Sequence, residues 1–415
     1  MEKLQSKAPR IRFPEFKDEW EHKRLSELLS ESKKRNGDLK YDKAEVLSVS
    51  GELGIVNQIE HLGRSYAGVS VHQYHVVEVG DIVYTKSPLK ANPFGIIKLN
   101  KGKAGIVSTL YAVYNVEEKN AYGPFLDYYF SLDANTNRYL RPLVRKGAKN
   151  TLQVTNEEAI SAEIFAPSIS EQTCIASFFT VLDIKIAQLK QKKNLLEQYK
   201  KGVMQKLFSQ ELRFKDENGK EFPKCEKKKF DEIFLFSTGK NIKQNEASPE
   251  FETPCVRYGE LYHMYIEVIK EVFNKTNLDK TELLFSDGDE ILLPSAGEDP
   301  LDIGSASALT VANVAIGRTI NILKPLKANV YSQIYVAYYI NQVLKKRIST
   351  LAKGVSISNV YNSDLRTLQI NLPFHPEQIK IANFLSALDE KINRTENQIQ
   401  QTGQYKKGLL QNMFV

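Results

Sequence analysis

The sequence has few cysteines, no long apolar run and no apolar segment at its start. Its 415 residues include only three cysteines, Cys174, Cys225 and Cys255, which lie far apart. An odd number without C-x-x-C spacing argues against a disulfide framework or a zinc ribbon and favours a reducing cytoplasm. No stretch of about 18 apolar residues occurs, so no transmembrane helix is expected. The first residues are not expected to form a signal peptide.

Motifs for catalysis are also missing. There is no G-x-x-x-x-G-K-[ST] loop for a nucleotide phosphate and no G-x-G-x-x-G after a predicted strand. Asn92-Pro93-Phe94 is similar to the tetrapeptide of amino-methyltransferases but lacks its second proline, so we expect a turn. His72 and His75 have a metal-ligand spacing without a third ligand nearby, and we interpret them as a histidine pair on a strand. We therefore expect no catalytic site, metal or cofactor on this chain.

The composition is that of a globular protein with room for two or three domains. Hydrophobic residues make up 42% and charged residues 26% of the chain, and both values are ordinary. The net charge of +7 is compatible with a nucleic-acid partner but does not require one. A DNA-binding face would have to come from local clustering of basic residues.

The chain contains one segment twice. Residues 167–208 align without a gap with residues 373–414, and 17 of the 42 positions are identical. The shared pattern is P-x-x-x-E-Q, I-A-x-F, L-D-x-K-I and Q-Y-K-K-G. The preceding segments are related more weakly, since Ile11-Arg12-Phe13 resembles Leu212-Arg213-Phe214. The predicted domains are a first module (1–166), a first tail (167–211), a second module (212–372) and a second tail (373–415).

Each tail is predicted to be one long helix. In the first tail, apolar residues recur every seven positions from Ile175 to Val203, which is the period of a helix with an apolar seam. The residues expected to widen this seam are Phe178, Phe179, Ile186, Tyr199 and Leu207. About 39 helical residues would extend on the order of 58 Å. Because isolated helices of this kind are marginal, we expect the tails to pack antiparallel about a pseudo-two-fold axis. The simpler alternative is that they are linker helices of an ordinary two-domain protein.

The expected fold class is α+β, with two mixed α/β modules joined by two long antiparallel helices that form a coiled-coil spacer. Asp183-x-Lys185 and Asp389-x-Lys391 are similar to a nuclease D-x-K fragment, but we interpret them as an exposed charged helix face. Within the modules the predicted strands are Tyr74–Tyr84, Gly105–Val116, Glu290–Leu293 and Val311–Leu323, and the predicted helices are Gly123–Tyr139 and Ser332–Ala352.

Basic and polar residues cluster on predicted loops of both modules, where they can contact phosphates or base edges. The candidates in the first module are Lys33, Lys34, Arg35, Arg64, Lys86, Lys90, Arg145, Lys146, Lys149 and Asn150. Those in the second module are Lys240, Lys243, Arg257, Arg318, Lys353, Ser356 and Ser358. Any single cluster can be ordinary solvated surface. Their recurrence at matching places, notably before each tail, favours DNA binding.

The doubled tail resembles that of the specificity subunits of type I restriction–modification enzymes, and the resemblance covers nearly the whole chain. The motifs Ser48-Val49-Ser50-Gly51 and Val256-Arg257-Tyr258-Gly259-Glu260 are similar to those of target recognition domains of this family. The resemblance implies that each module reads one half of a bipartite double-stranded DNA target and that the helices set the distance between the halves.

The same resemblance implies a division of labour with other chains. Two modification subunits would methylate adenine N6 with S-adenosylmethionine, and two restriction subunits would cleave unmodified DNA with ATP and Mg²⁺. This chain would bind no cofactor itself and would work in the cytoplasm. Candidate contacts to partner subunits, or simply charged helix surface, are Gln198, Tyr199, Lys200, Lys201, Gln404, Tyr405, Lys406 and Lys407. The alternatives are a stand-alone DNA-binding regulator or scaffold, and a nuclease with an unrecognised site.

Overall fold

A computed structural model describes residues 8–147, 152–354 and 357–415, and the chain divides into two compact units. Unit 1 consists of Met1–Lys190 and Asn397–Val415, and unit 2 of Gln191–Glu396. The mixture of helices and strands fits the predicted α+β class. The unit boundaries fall inside the two tails rather than at their ends. Among the described residues, no helix combines the length and the apolar character that a membrane span requires.

Unit 1 is built on an antiparallel four-stranded sheet. Its strands are β1 (Glu21–Arg24), β2 (Leu29–Glu31), β3 (Leu47–Ser50), β4 (Gly54–Asn57), β5 (His75–Val77), β6 (Ile82–Thr85), β7 (Ile96–Leu99), β8 (Gly105–Val107), β9 (Tyr111–Val116), β10 (Arg145–Lys146), β11 (Leu152–Gln153) and β12 (Glu163–Ala166). Its module helices are α1 (Leu25–Leu28), α2 (Gln58–Leu62), α3 (Gly123–Ser131) and α4 (Asp133–Leu140). The main sheet has the order β2-β9-β6-β7, and β1-β12, β3-β4, β5-β8 and β10-β11 form two-stranded sheets.

The predicted strands of unit 1 are present but interrupted. Gly80 has φ 95°, a conformation that glycine adopts without steric cost, and it turns the chain between β5 and β6. The Asp81 carboxylate accepts the Glu78 N–H at 2.7 Å and closes this turn. A second turn, in which the Tyr111 N–H donates to the Ser108 carbonyl, separates β8 from β9. Every residue of β6 is buried, which explains why its apolar residues Ile82, Val83 and Tyr84 follow one another instead of alternating with polar ones.

The first tail forms helix α5 (Ile169–Phe208). Unit 2 then repeats the plan of unit 1 with one more strand in its main sheet. Its strands are β13 (Glu226–Lys229), β14 (Phe234–Thr238), β15 (Thr253–Val256), β16 (Val268–Ile269), β17 (Lys275–Thr276), β18 (Glu290–Pro294), β19 (Ala296–Gly297), β20 (Ser307–Leu309), β21 (Ala315–Ile316), β22 (Ile320–Pro325), β23 (Ser358–Asn359) and β24 (Gln369–Leu372).

The helices of the second module are α6 (Phe230–Ile233), α7 (Glu260–His263), α8 (Pro300–Ile303), α9 (Gln333–Tyr339), α10 (Lys345–Leu351) and α11 (Asn362–Leu365), and the second tail forms α12 (His375–Met413). The main sheet has the order β14-β22-β18-β20-β16, beside β17-β15-β21, β13-β24 and β19-β23. The predicted helix Ser332–Ala352 is present, with one π-helical segment at Ile340–Leu344. The predicted strand Val311–Leu323 is divided into β21 and β22.

Each unit contains a stretch of both tail helices, and within each unit these stretches run antiparallel. In unit 1, Phe179 stacks on Phe414, with ring centroids 6.1 Å apart, while Asp183 binds Lys406. In unit 2 the corresponding ion pairs are Lys193–Glu396 at 2.9 Å and Lys200–Asp389 at 2.6 Å. Tyr199 does not widen the buried seam as its spacing suggested, because its side chain is 54% exposed.

The start of each tail helix is anchored to its module by a buried carboxylate. Glu171 accepts two hydrogen bonds from Arg12, both at 2.7 Å, and Glu377 is bound by Arg213 in the same way, at 3.1 and 2.6 Å. Both carboxylates are almost fully buried. The weak sequence match between Ile11-Arg12-Phe13 and Leu212-Arg213-Phe214 therefore marks an equivalent structural contact.

The neighbouring glutamine joins the tail to the module helix. The Gln172 side-chain carbonyl accepts the backbone N–H of Tyr122 at 2.9 Å, just before α3. The Gln378 carbonyl accepts the N–H of Ser332 at 2.8 Å, just before α9. These N–H groups have no partner within their own helices, so the glutamines satisfy donors that would otherwise be unpaired.

We expect Arg213→Met to lower the free energy of unfolding of unit 2 by about 3 kcal/mol, because it leaves the buried Glu377 carboxylate without its counter-charge. Differential scanning calorimetry of the purified chain measures the loss. The control is Glu221→Gln, which removes an ion pair between two exposed side chains and should change stability by less than about 1 kcal/mol. Equal transitions for the two variants would contradict a stabilising role of Arg213.

Candidate nucleic-acid interface

In unit 1, several of the basic candidates lie around the end of strand β6. Lys86 follows this strand, and its ammonium donates to the Asn156 side-chain carbonyl at 2.7 Å. The Asn156 amide in turn donates to Glu31 at 2.7 Å. Burial lowers the pKa of Lys86, while the nearby carboxylates of Glu31 and Glu158 raise it. The Lys86 side chain is therefore half-buried and fixed by a hydrogen bond, unlike an unpaired surface lysine.

Two further cations of unit 1 lie near Lys86. Hydrogen bonds with Thr155 lower the pKa of Glu158, and the charges of Arg145, exposed in β10, and of Lys86 lower it further. Arg35 is exposed and forms a β-bridge with His75. The structure thus brings Arg35, Lys86 and Arg145 into one region, together with the neighbouring exposed residues Lys33, Lys34 and Lys146.

The other candidates of unit 1 are not tied to this region by any described contact. Arg64 is exposed and lies over the ring of Tyr66, 4.7 Å from its centroid. Lys90 is exposed at the turn that Asn92-Pro93-Phe94 forms, as predicted. Lys149 and Asn150 lie outside the described residues.

The histidine spacing does not correspond to a metal site among the described residues. His75 is buried in β5, and burial lowers its pKa to about 4, with a further contribution from the Arg35 charge. His72 is not on the strand as predicted, but exposed in the preceding turn. Within the described ranges the one group with metal-binding geometry is Asp287, Asp289 and Glu290, and two of these carboxylates already bind Lys324.

In unit 2, two of the basic candidates, Lys240 and Arg318, lie at a close crossing of two loops. An added Cβ at Gly239 would lie 2.0 Å from the carbonyl oxygen of Gly317, so only glycine allows this approach. The Lys240 N–H donates to the Ile316 carbonyl at 3.0 Å, and the Arg318 N–H donates to the Asn241 carbonyl at 2.9 Å. The crossing therefore places Lys240 and Arg318, both exposed, on adjacent loops.

The backbone at this crossing is strained. Asn241, Ile242 and Thr319 have φ values of 48°, 53° and 67°. Two of them are β-branched, and positive φ is a genuine outlier for such residues. Strain of this kind costs on the order of 1–3 kcal/mol per residue and is concentrated at binding and active sites. The motif search missed this feature, because neither Ile242 nor Thr319 belongs to a residue class that predicts positive φ.

The other basic candidates of unit 2 differ in whether their side chains are paired with a carboxylate. Arg257 donates to the buried Glu260 carboxylate at 2.7 Å, and Lys243 is exposed beside Glu246. The hydrogen bond from Lys353 to Asp364, at 2.9 Å, lowers the pKa of that carboxyl group. Ser358 is buried in the β19-β23 pair, so the prediction that its hydroxyl faces DNA is wrong. Ser356 lies outside the described residues.

Of the candidate partner-contact residues on the tails, six have exposed side chains and two do not. Gln198, Tyr199, Lys201, Gln404, Tyr405 and Lys407 are exposed. Lys200 and Lys406 instead form ion pairs with Asp389 and Asp183. The interpretation of the D-x-K pairs as an exposed charged face is wrong for Asp389, whose side chain is 13% exposed, but agrees with Asp183, which is 40% exposed, and with the exposed Lys185 and Lys391. Each aspartate also accepts a hydrogen bond from a module tyrosine.

A family model and curated relatives both match this chain, and both belong to type I restriction–modification specificity subunits. Residues 223–402 match the type I restriction modification DNA specificity domain. The MjaX and MjaIX type I restriction enzyme specificity subunits of Methanocaldococcus jannaschii are each 24% identical to this chain, over 280 and 294 residues. These alignments cover 64% and 68% of this chain, but only 62% and 66% of the two relatives.

A solved structure has a similar fold along nearly the whole chain. The type I restriction–modification system S subunit from M. genitalium matches with a TM-score of 0.59 and 14% identity, covering 98% of this chain and 99% of its own. The resemblance seen in the doubled tail is thus confirmed: the chain is similar to type I restriction–modification specificity subunits, and residues 223–402 match the DNA specificity domain of that family.

Proposed function

We propose that this chain is the non-catalytic DNA-recognition subunit of a type I restriction–modification complex and that each module reads one half of a bipartite target. The observation that carries the proposal is the loop crossing of unit 2. There, exposed Lys240 and Arg318 lie on strained, glycine-dependent loops inside the DNA specificity domain. The region around Lys86 in unit 1 offers a second basic surface.

The two basic residues of the unit 2 crossing suit different parts of DNA recognition. Exposed lysines such as Lys240 neutralise phosphates, which gives affinity that falls with salt. An exposed guanidinium such as that of Arg318 can bind a guanine through two hydrogen bonds, which gives sequence preference. A base contact requires the hydrogen-bond donors to be in position before binding. Loops with a fixed backbone hold the side chain in that position, so that it contacts one base pair.

In this proposal the tail helices α5 and α12 form an antiparallel coiled-coil spacer with pseudo-two-fold symmetry. A rigid spacer makes the second half-site contact intramolecular, so two weak contacts combine into a tight one. The repeated tail sequence and the antiparallel ion pairs within each unit support this arrangement.

The chemistry would belong to partner chains in the cytoplasm. Two modification subunits would flip an adenine in each half-site out of the stack and methylate N6 with S-adenosylmethionine. Two restriction subunits would use ATP and Mg²⁺ to cleave unmodified DNA. The exposed residues Gln198, Tyr199, Lys201, Gln404, Tyr405 and Lys407 are the proposed contacts for these partners.

Deleting the gene should abolish N6-methyladenine at one bipartite, interrupted motif in the host genome. Single-molecule methylome sequencing of the parent and the deletion strain measures this, and a complemented strain is the control. An unchanged methylome, with tight sequence-specific DNA binding by the purified chain, would favour a stand-alone regulator. Metal-dependent cutting by the purified chain would favour a nuclease.

Arg318→Ala and Lys240→Ala should weaken DNA binding in different ways. Loss of a bidentate base contact should relax preference at one base pair by about 1–3 kcal/mol, whereas loss of a phosphate contact should weaken binding to all sequences and reduce the salt slope by about 1. Fluorescence anisotropy of the assembled complex on the target duplex and its single-base variants separates the two effects. The control is Lys227→Ala, which changes an exposed lysine in β13. If Arg318→Ala matches this control at every base pair, Arg318 does not read sequence.

Inserting one heptad after Lys190 and another after Glu396 should lengthen the preferred gap between the half-sites. Seven helical residues add about 10 Å, which corresponds to about three base pairs at roughly 3.4 Å each. Selection from duplexes with randomised gaps measures the change. The control inserts the heptad after Gln210, beyond the end of α5. An unchanged gap in folded protein would show that the helices do not set the spacing.

A further inference from the structure

The same three-residue arrangement occurs once in each unit. In unit 1 the Tyr128 hydroxyl donates to Asp183 Oδ2 at 2.7 Å, and Lys406 Nζ binds Oδ1 of the same carboxylate. In unit 2 the Tyr338 hydroxyl donates to Asp389 Oδ2, and Lys200 Nζ binds Oδ1 at 2.6 Å. We call these two groups the carboxylate clamps.

Each carboxylate clamp joins three separate parts of the fold. The tyrosine lies on the module helix, α3 in unit 1 and α9 in unit 2, and each of these helices packs on its main sheet. The aspartate belongs to the tail that follows that module, and the lysine belongs to the other tail. One carboxylate thus holds a module against its own tail and holds the two tails together.

The contacts are reciprocal in sequence. Asp183 and Asp389 are equivalent positions of the repeated tail, and so are Lys200 and Lys406. Each aspartate nevertheless binds the lysine of the other tail rather than its own. The L-D-x-K-I and Q-Y-K-K-G motifs, which start 16 residues apart in each tail, are therefore explained by one contact.

The contacts within each carboxylate clamp are geometrically specific, and the two clamps differ in how deeply they are buried. The lysine also lies beside the tyrosine ring, 5.2 Å from its centroid in unit 1 and 5.0 Å in unit 2, which is within the range of a cation–π contact. In unit 2 the side chains of Lys200 and Asp389 are only 14% and 13% exposed, whereas Asp183 is 40% exposed. Charged hydrogen bonds are short and geometrically specific, and they weaken when solvent reaches them. The unit 2 clamp should therefore be the stronger.

We propose that Asp389 and Asp183 are positioning residues for DNA recognition. Each carboxylate fixes the orientation of its module on the tail helices, so that the module presents its half-site contacts at one defined place. The proposal rests on the proposed bipartite reading. It assigns to the repeated Asp and Lys a role in spacing accuracy, whereas the exposed tail residues are left for partner contacts.

The test uses Asp389→Asn, which keeps the size of the side chain and removes the charge that Lys200 binds at 2.6 Å. The Glu267 carboxylate, 3.7 Å from Lys200, is unchanged in this variant. The complex of this chain with its modification subunits is offered duplexes that carry both half-sites of the wild-type motif at different gap lengths. We expect the preference for the wild-type gap over gaps one base pair longer or shorter to fall by about tenfold, which corresponds to about 1.4 kcal/mol. Base preference within each half-site should not change.

Matched controls separate positioning from general destabilisation. Glu390→Gln makes the same chemical change at the next residue, where the carboxylate binds only exposed cations, and should leave the gap preference intact. Lys200→Met should match Asp389→Asn, Lys200→Arg should retain the preference, and the double variant should be no worse than either single one. Asp183→Asn should have the same effect more weakly, and it replaces Asp389→Asn if that variant does not fold.

The outcomes distinguish this proposal from the one on which it rests. If Asp389→Asn lowers the melting temperature but retains the wild-type gap preference, the clamp is only structural and the positioning proposal is overturned. An equal loss of preference in Glu390→Gln would also overturn it. If the wild-type complex selects no two-part motif at all, the proposed bipartite reading is overturned, and the positioning proposal that rests on it is overturned with it.

Discussion

A helix of forty residues with an apolar seam is stable in water only if other parts of the protein cover that seam, and this requirement shapes both units. Isolated helices gain too little from their own hydrogen bonds to offset chain entropy, so tertiary packing must supply the difference. In unit 1 the start of α5 packs into a core with Trp20, Phe125 and the end of α12 at Phe414. In unit 2 the end of α5 packs with α9 and the start of α12. In each unit, the apolar side chains of the module and those of the tail-helix seams therefore belong to one hydrophobic core.

The packing is apolar, but its register is set by polar groups. Apolar seams tolerate sliding, because one methyl group can replace another at little cost. Buried charges do not, because a displaced carboxylate loses its partner and keeps its desolvation penalty. Glu171 and Glu377 fix the start of each tail on its module, and Asp183 and Asp389 fix the tail further along. The repeated motifs of the tail therefore mark the residues that set the register of the tail helices, rather than the residues that contribute most to the stability of the fold.

The sequence predicted the tails well and the modules less well, for a physical reason. Heptad spacing and a gap-free repeat are local patterns, and they predicted long helices that the structure places at Ile169–Phe208 and His375–Met413. The seam position of Tyr199 was wrong, because a heptad pattern does not say how wide the covered face is. The carboxylate clamps were also missed. Their parts were visible as identical positions, but pairing between residues some 200 positions apart has no local signal.

For the candidate DNA-binding residues, too, the sequence did not show contacts that depend on distant parts of the chain. Basic composition on loops identified Lys240 and Arg318 correctly as exposed, but it could not separate them from Lys86, which is held by Asn156, or from the buried Ser358. Exposure and pairing depend on the neighbouring strands. Strain at Ile242 was equally invisible, because a β-branched residue normally predicts extended backbone.

These differences bear on how one fold can serve two recognition surfaces. The main sheets of the two modules share the order of their first four strands, and their tails share the buried carboxylates. The loops that carry the basic candidates differ, with a half-buried lysine in one unit and a glycine crossing in the other. A frame fixed by these ion pairs tolerates changes at Lys86 and at the Gly239–Gly317 crossing, since neither takes part in the ion pairs of the frame. Under the proposed function, each surface can therefore change its half-site without altering the frame that sets the distance between the two.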